Sequence, residues 1–326
     1  MTQGTFSPEP PYRDQRTGLI LFGSFSIFFG VVCLLISLVM FLAAAVGFPT
    51  GQTARINLFS GLFYLIPAAI GIWLGIGSVL CRRWARTLLF LYSLGWLVIG
   101  VISIFSIFLM ADVMRAGMMQ PEAKISEAMV ATVQKVMFAV MGIIYILIPG
   151  AFTWFYARTS TRLTCEARDP RERWTDRCPL PLLALVGLTF FTAAMMPATF
   201  LYTPVFPLFG MFLKGVPATM AYLSVCGCLG LSAWGLFRRW TFFWWLALGS
   251  TVFLLVSYWV TFQSRGLMEM YRQMELPAET LRILEASSLV SDSRFLYFGL
   301  VAWLPYFGLI LYVRRYMKGG RDESPG

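Results

Sequence analysis

The chain has 326 residues, of which 58% are hydrophobic, 16% aromatic and only 13% charged, with mean hydropathy +0.71 and a net charge of +10. Soluble domains average about 45–50% apolar and about 25% charged residues, so a soluble globular protein and a disordered one are both excluded. Histidine is absent, which removes the commonest general base, the commonest zinc and haem ligand, and the usual pH switch.

A membrane-spanning helix needs about 20 mostly apolar residues. Eight segments meet that requirement: Leu19–Val46, Leu58–Leu80, Leu88–Ala111, Val136–Phe155, Leu180–Tyr202, Ala218–Phe237, Phe242–Phe262 and Phe295–Val313. Lipid cannot satisfy free backbone groups and barrel-type alternation is lacking, so all eight are expected to be helices. The expected fold is an all-α polytopic membrane protein. The first apolar run is long for a signal-peptide core and is read as a retained span, able to act as an uncleaved anchor.

The loops divide the charge unequally. One side collects the N-terminal tail, the loops after spans 2, 4 and 6, and the C-terminal tail. It holds 17 of the 26 basic residues but 8 of the 16 acidic ones. The positive-inside rule makes that side cytoplasmic and places both termini there. The same bias accounts for the net charge without invoking nucleic acid. No Asp, Glu, Lys or Arg remains for the middle of a span, so proton relays, voltage sensors and retinal-type counter-ions lack their usual parts. Sodium coupling through carbonyls and hydroxyls stays open. Cys33, Cys81, Cys165, Cys178, Cys226 and Cys228 match neither a structural zinc site nor a redox motif and read as reduced thiols.

A shift of 156 residues superimposes several features without a gap. Arg82-Arg83-Trp84 falls on Arg238-Arg239-Trp240, Gly71 on Gly227, Met114 on Met270, Met118 on Met274, Pro121 on Pro277, Pro149 on Pro305, Tyr156 on Tyr312 and Arg158 on Arg314. This pattern predicts two tandem four-helix repeats, 19–156 and 180–313, joined by a basic cytoplasmic linker at 157–179 and flanked by tails 1–18 and 314–326. Four spans is an even number, so the repeats are expected to be parallel, related by an axis along the membrane normal.

Beyond the third span of each repeat the helical pattern runs on outside the bilayer. Met110, Val113, Met114 and Met118 form one stripe; Leu267, Met270, Tyr271 and Met274 form the other. Each chain then turns at Pro121 or Pro277, with Glu122 or Glu279 in the returning first turn. Each repeat is thus expected to raise an extracytoplasmic amphipathic helix–turn–helix arm, at 112–135 and 263–294. Three uses are open: internal packing, contact with a protein partner or the membrane surface, and Cu(I) binding by Met114, Met118 and Met119, because thioethers are soft ligands. No other metal or cofactor is expected.

Within the spans, Gly71 and Gly75, and Gly227 and Gly230 in the second repeat, read as helix-packing faces. Pro149 and Pro305 predict kinks at matching points, as inherited shape or as openings toward a cavity. Ser257-Tyr258 is the most polar intramembrane pair and the first candidate for a cavity lining. Arg82, Arg83, Trp84, Arg238, Arg239 and Trp240 read as interfacial anchors, with affinity for anionic lipid. No hydrolase elbow, phosphate loop or paired intramembrane acids are present. The expected function is therefore non-enzymatic: an accessory, scaffold or partner-binding subunit, in a bacterial inner membrane. The alternative is a transporter or flippase for an uncharged or lipid-like substrate, with a cavity between the repeats.

Overall fold

The computed structural model describes residues 13–46, 51–109, 127–197, 204–274, 281–282, 284–285 and 293–317. The helices are α1 (Arg16–Ala45), α2 (Gly51–Val79), α3 (Arg83–Leu109), α4 (Glu127–Ala157, with a π-helical turn at Ile143–Leu147), α5 (Thr159–Arg168), α6 (Leu180–Met195), α7 (Val216–Phe237), α8 (Thr241–Arg265), α9 (Leu267–Gln273) and α10 (Ser293–Val313). Six of these, α1 to α4, α7 and α8, hold segments long and apolar enough to cross a bilayer, and α6 is a shorter apolar helix. The chain is a membrane-embedded helical protein. Residues 110–126, which carry Met110, Val113, Met114, Met118 and Met119 and the first arm's turn, lie outside the described residues.

Two compact units emerge: residues 1–96 with 147–178, and residues 97–146 with 179–326. The first is organised by α1 against α2. The buried face of α1 is Leu19, Gly23, Ser26, Gly30, Cys33 and Ser37, spaced alternately by four and three residues. That heptad rhythm keeps one narrow seam facing the partner helix. Most of its members are small, so the two backbones close up. A Cβ on Gly23 would lie 2.9 Å from the Gly75 carbonyl oxygen, and one on Gly30 would lie 2.9 Å from that of Ala68. Hydroxyls bond across the seam in both directions. Ser26 donates to the Gly71 carbonyl at 2.9 Å, Ser37 to that of Gly61 at 2.8 Å, and Ser78 to that of Leu19 at 3.0 Å.

The 157–179 segment, expected as a basic linker, holds helical structure of its own. Helix α5 and a short turn at Trp174–Arg177 fold onto the first unit. Cys165 of α5 enters a core with Leu19, Leu74, Cys81, Leu89, Phe155 and Tyr156.

Pro149 explains the π-helical turn. Its ring nitrogen has no hydrogen for the carbonyl four residues back, Tyr145, and the helix widens there. The freed Tyr145 carbonyl faces Gly100 of α3, where a Cβ would collide with it. Pro305 lies inside α10 with no such widening recorded, and Tyr306 beside it meets Thr189 of α6 at 2.8 Å between hydroxyls.

The second unit adds an element absent from the expected all-helical plan. Val205–Leu208 (β1) and Met211–Lys214 (β2) form an antiparallel hairpin between α6 and α7. Its two-residue turn, Phe209-Gly210, has positive φ at both positions, 41° and 93°, as the turn type that matches strand twist requires. The second arm also departs from a continuous helix. Helix α8 stops at Arg265, and Gly266 (φ 75°, ψ 163°) starts α9 in a new direction, a backbone shape that only glycine takes without strain.

Gly75→Ala should lower the unfolding midpoint in detergent by the equivalent of about 2 kcal/mol, because backbone must move aside. Gly227→Ala, with no atom within 4 Å of the new methyl, should leave it unchanged or raise it slightly. Equal effects of the two substitutions would contradict the seam.

Candidate functional site

Chemistry-bearing side chains gather at three places. The first is a buried carboxylate in the first unit. Asp169, just past α5, is 2% exposed. Arg173 grips it through two nitrogens, at 3.1 Å and 3.3 Å, and Arg82 lies 3.6 Å away. The Arg83 backbone N–H, which opens α3, donates to it at 3.4 Å. A carboxylate at a helix N-terminus faces both unpaired N–H groups and the positive end of the dipole. Burial pushes the Asp169 pKa up, but the Arg173 hydrogen bond and charge, the Arg83 N–H and Arg82 outweigh it, and the carboxyl lies below the usual carboxylate range. Arg83 continues the network to the Glu166 carbonyl at 3.3 Å and to Asp176 at 4.0 Å. At the α1 end, Arg168 pairs with Asp14 at 2.9 Å and the Gln15 N–H donates to Thr164 at 3.0 Å. Burial pushes the Cys165 thiol up to about 12, so it is inert as a nucleophile. A fully paired acid beside an inert thiol is a clamp on the α2–α3 turn, with no group positioned for proton transfer.

The second place is the seat of the hairpin on α8. Ser257, singled out as a cavity lining, is 1% exposed. Its hydroxyl donates to the Pro207 carbonyl at 2.7 Å and accepts the Phe209 N–H at 3.2 Å. Thr261 accepts the Gly210 N–H at 3.0 Å, and Arg265 donates to the Gly210 carbonyl at 3.1 Å. From α7, Tyr222 donates to the Val205 carbonyl at 2.8 Å. Pro207 carries no N–H, so its outward edge position leaves no donor stranded. Tyr258 instead joins an apolar group with Phe212, Trp259, Phe262, Leu267, Met270 and Tyr271. Leu267, Met270 and Tyr271 of the second arm's stripe therefore pack inward onto α8 and the hairpin. Arg272 and Glu285, 2.9 Å apart, tie that arm's outgoing and returning segments together.

The third place is a groove of ≈ 300 Å³ between α7 and α8, lined by Ser224, Val225, Cys228, Gly249, Ser250 and Phe253. Among the described residues, Gly227, Gly230 and Gly249 have no atom within 4 Å of a would-be Cβ. Gly227, the counterpart of Gly71, and Gly230 thus meet no partner helix among the described residues.

The arginine-bearing turns that join α2 to α3 and α7 to α8 share one backbone motif. Cys81 (φ 53°) and Arg239 (φ 59°) hold the left-handed position. The Arg82 N–H returns to the Gly77 carbonyl and the Trp240 N–H to that of Gly235, both as in a Schellman cap. The motifs match at a shift of 158, so the two Arg-Arg-Trp triplets sit two steps apart in their turns. Trp84 stacks on Trp73 at 4.6 Å, while Trp240 meets Trp234 edge-on at 5.2 Å. Arg82 and Arg83 are matched by acids. Among the described residues no carboxylate pairs with Arg238, Arg314 or Arg315. Arg238 lies over Trp234 at 5.6 Å, Arg314 over Trp244 at 5.4 Å and Trp245 at 5.8 Å, and Arg315 over Tyr312 at 3.7 Å.

Asp169 and the hairpin were absent from the sequence reading. Asp169 sits in a run of mixed charge without periodicity, and although Arg173 is four residues on, the helix start that it caps is 86 residues away. Val205–Lys214 is apolar throughout except for Lys214, so it shows no strand alternation, and Phe-Gly at its centre is a weak turn signal hidden by membrane composition. Among the described residues no group of three or more Cys, Asp or Glu could hold a metal ion. No protein-family model fits the sequence, and no curated protein or solved structure matches it.

Asp169→Asn should cost about 2 kcal/mol, the scale of hydrogen bonds to a charged group. The folded pKa is lowered, so the stabilisation is complete above the unfolded value near pH 4 and is lost as pH falls through the folded value. The midpoint difference between wild type and Asp169→Asn should therefore be flat from about pH 5 to 8 and close below about pH 4. Ser257→Ala should cost about 1–3 kcal/mol by stranding two hairpin groups, whereas Tyr258→Phe should be nearly silent; proteolysis of the hairpin and thermal unfolding check both.

Proposed function

We propose that this protein is a non-enzymatic membrane subunit that scaffolds or binds a protein partner. One observation carries the reading: buried hydroxyls inside the helices are engaged in holding the chain together rather than lining a shared space. Ser26, Ser37 and Ser78 bond the carbonyls of the facing helix, Thr189 meets Tyr306, and Ser257 and Thr261 hold the hairpin. Substrate sites in transporters and enzymes need convergent, available polar groups at depth.

The fuller topology belongs to the same proposal: eight spans in two tandem parallel repeats, outer arms, both termini on the basic side, and residence in a bacterial inner membrane. Helical segments in all eight expected places support it; the shared turn motif at Cys81 and Arg239 recurs at a shift of 158, two residues out of step with the sequence match. The inward-packed stripe of the second arm leaves the methionine-rich first arm as the favoured contact for a partner, because methionine faces adapt to varied surfaces.

Replacing residues 113–124 by a Gly-Ser linker of equal length should leave the unfolding midpoint unchanged and remove a partner that co-purifies with the wild-type protein from native membranes. Identical partners for both proteins, or none for the wild type, would overturn the assignment.

A further inference from the structure

We propose that the second unit binds one anionic phospholipid, with its head group at the Arg238 and Arg314 end of α7 and α8 and one acyl chain in the groove between those helices. The inference goes beyond scaffolding and rests only on the chain being embedded in a membrane.

The groove lies at the depth that an acyl chain reaches. Cys228 and Ser224 precede Arg238 by ten and fourteen residues, about 15–21 Å along the helix. Gly249 and Phe253 follow Thr241 by eight and twelve residues, about 12–18 Å. Half of a hydrocarbon core of about 30 Å, one leaflet's worth, is about 15 Å. The lining is overwhelmingly apolar, and Ser224 turns its hydroxyl back to the Met220 carbonyl at 2.8 Å. A void at this depth forfeits dispersion contacts unless a chain fills it. In the first unit the glycine faces are closed by α1. Around Gly249, which lines the groove, no described residue does so.

Charge at the mouth selects the lipid. Arg238, Arg314 and Arg315 are exposed, and among the described residues no acid neutralises them. Their recorded partners are aromatic rings, plus the Tyr316 hydroxyl for Arg315. A ring takes the face of a guanidinium and leaves its in-plane N–H donors available, and those donors fit two oxygens of a phosphate at once. Arg82 and Arg83, in the matching turn of the first unit, already hold Asp169 and Asp176. Among the described residues the chain supplies its own anions at one turn and none at the other. A phosphodiester head with its tail in the groove meets both requirements at one end of one helix pair.

The test uses the full-length protein in mild detergent, exposed to phosphatidylglycerol or phosphatidylcholine of the same acyl chains and read by native mass spectrometry. The expected result is one retained phosphatidylglycerol per chain, favoured at least tenfold over phosphatidylcholine. Arg238→Gln with Arg314→Gln should erase that preference. Gly249→Leu, which fills the groove, should reduce retention at least tenfold. Arg158→Gln, which alters a cation–π pair of the first unit, should change nothing. Equal retention of the two wild-type lipids overturns the proposal without any variant. So does unchanged retention in Gly249→Leu, or a protein dimer that this substitution dissociates, which would assign the groove to a second copy.

Discussion

Lipid tails are as apolar as leucine, so burial alone gives spanning helices little reason to adhere. What remains is backbone approach and the hydrogen bond, and both need small residues at the contact. The α1–α2 seam supplies them at every turn: Gly23 against Gly75, Gly30 against Ala68, and serine hydroxyls reaching carbonyls across the gap. Each such bond is worth only about 0.6 kcal/mol on average. Their number and the continuous contact between them make α1 and α2 one body. The other parts of the first unit are arranged around that pair, with Phe155 and Tyr156 packed on Leu19 and Cys165 closing the core from α5.

The same constraint governs the hairpin. Non-helical backbone is tolerated at membrane depth only where other groups satisfy it. Helix α8, at about 38 Å, is longer than the hydrocarbon core, and Ser257 lies about 12 Å from its end. The hairpin tip rests against α8 between Ser257 and Arg265, and Ser257, Thr261, Arg265 and Tyr222 satisfy hairpin backbone groups that the strands leave open. The pair that looked most suited to line a cavity is divided: Ser257 holds backbone and Tyr258 fills apolar space.

Charge shows how alike sequences can be used differently. Two turns with the same Schellman geometry each carry an arginine pair. In the first, the 157–179 segment brings Asp169 and Asp176 back to it, neutralising the arginines and capping α3. In the second, Arg238 lies over the Trp234 ring, and the helix pair beyond it leaves a groove lined by Gly249 among others.

Composition and apolar run length determined by themselves that this is a membrane-embedded helical chain, because no other fold hides so much apolar sequence from water. Proline at position 149 determined a local distortion, and the Arg-Arg-Trp triplets marked the ends of α2 and α7, because steric and interfacial rules act within a few residues. Tertiary structure alone decided what those features meet. Gly71 and Gly227 read identically in sequence, yet one lies against a neighbour's backbone and the other against open space. Asp169 looked like one solvated acid among many and became the cap of a helix 86 residues away. A glycine stripe or a carboxylate carries only the capacity for contact, and the partner comes from a distant part of the chain, which no local pattern specifies.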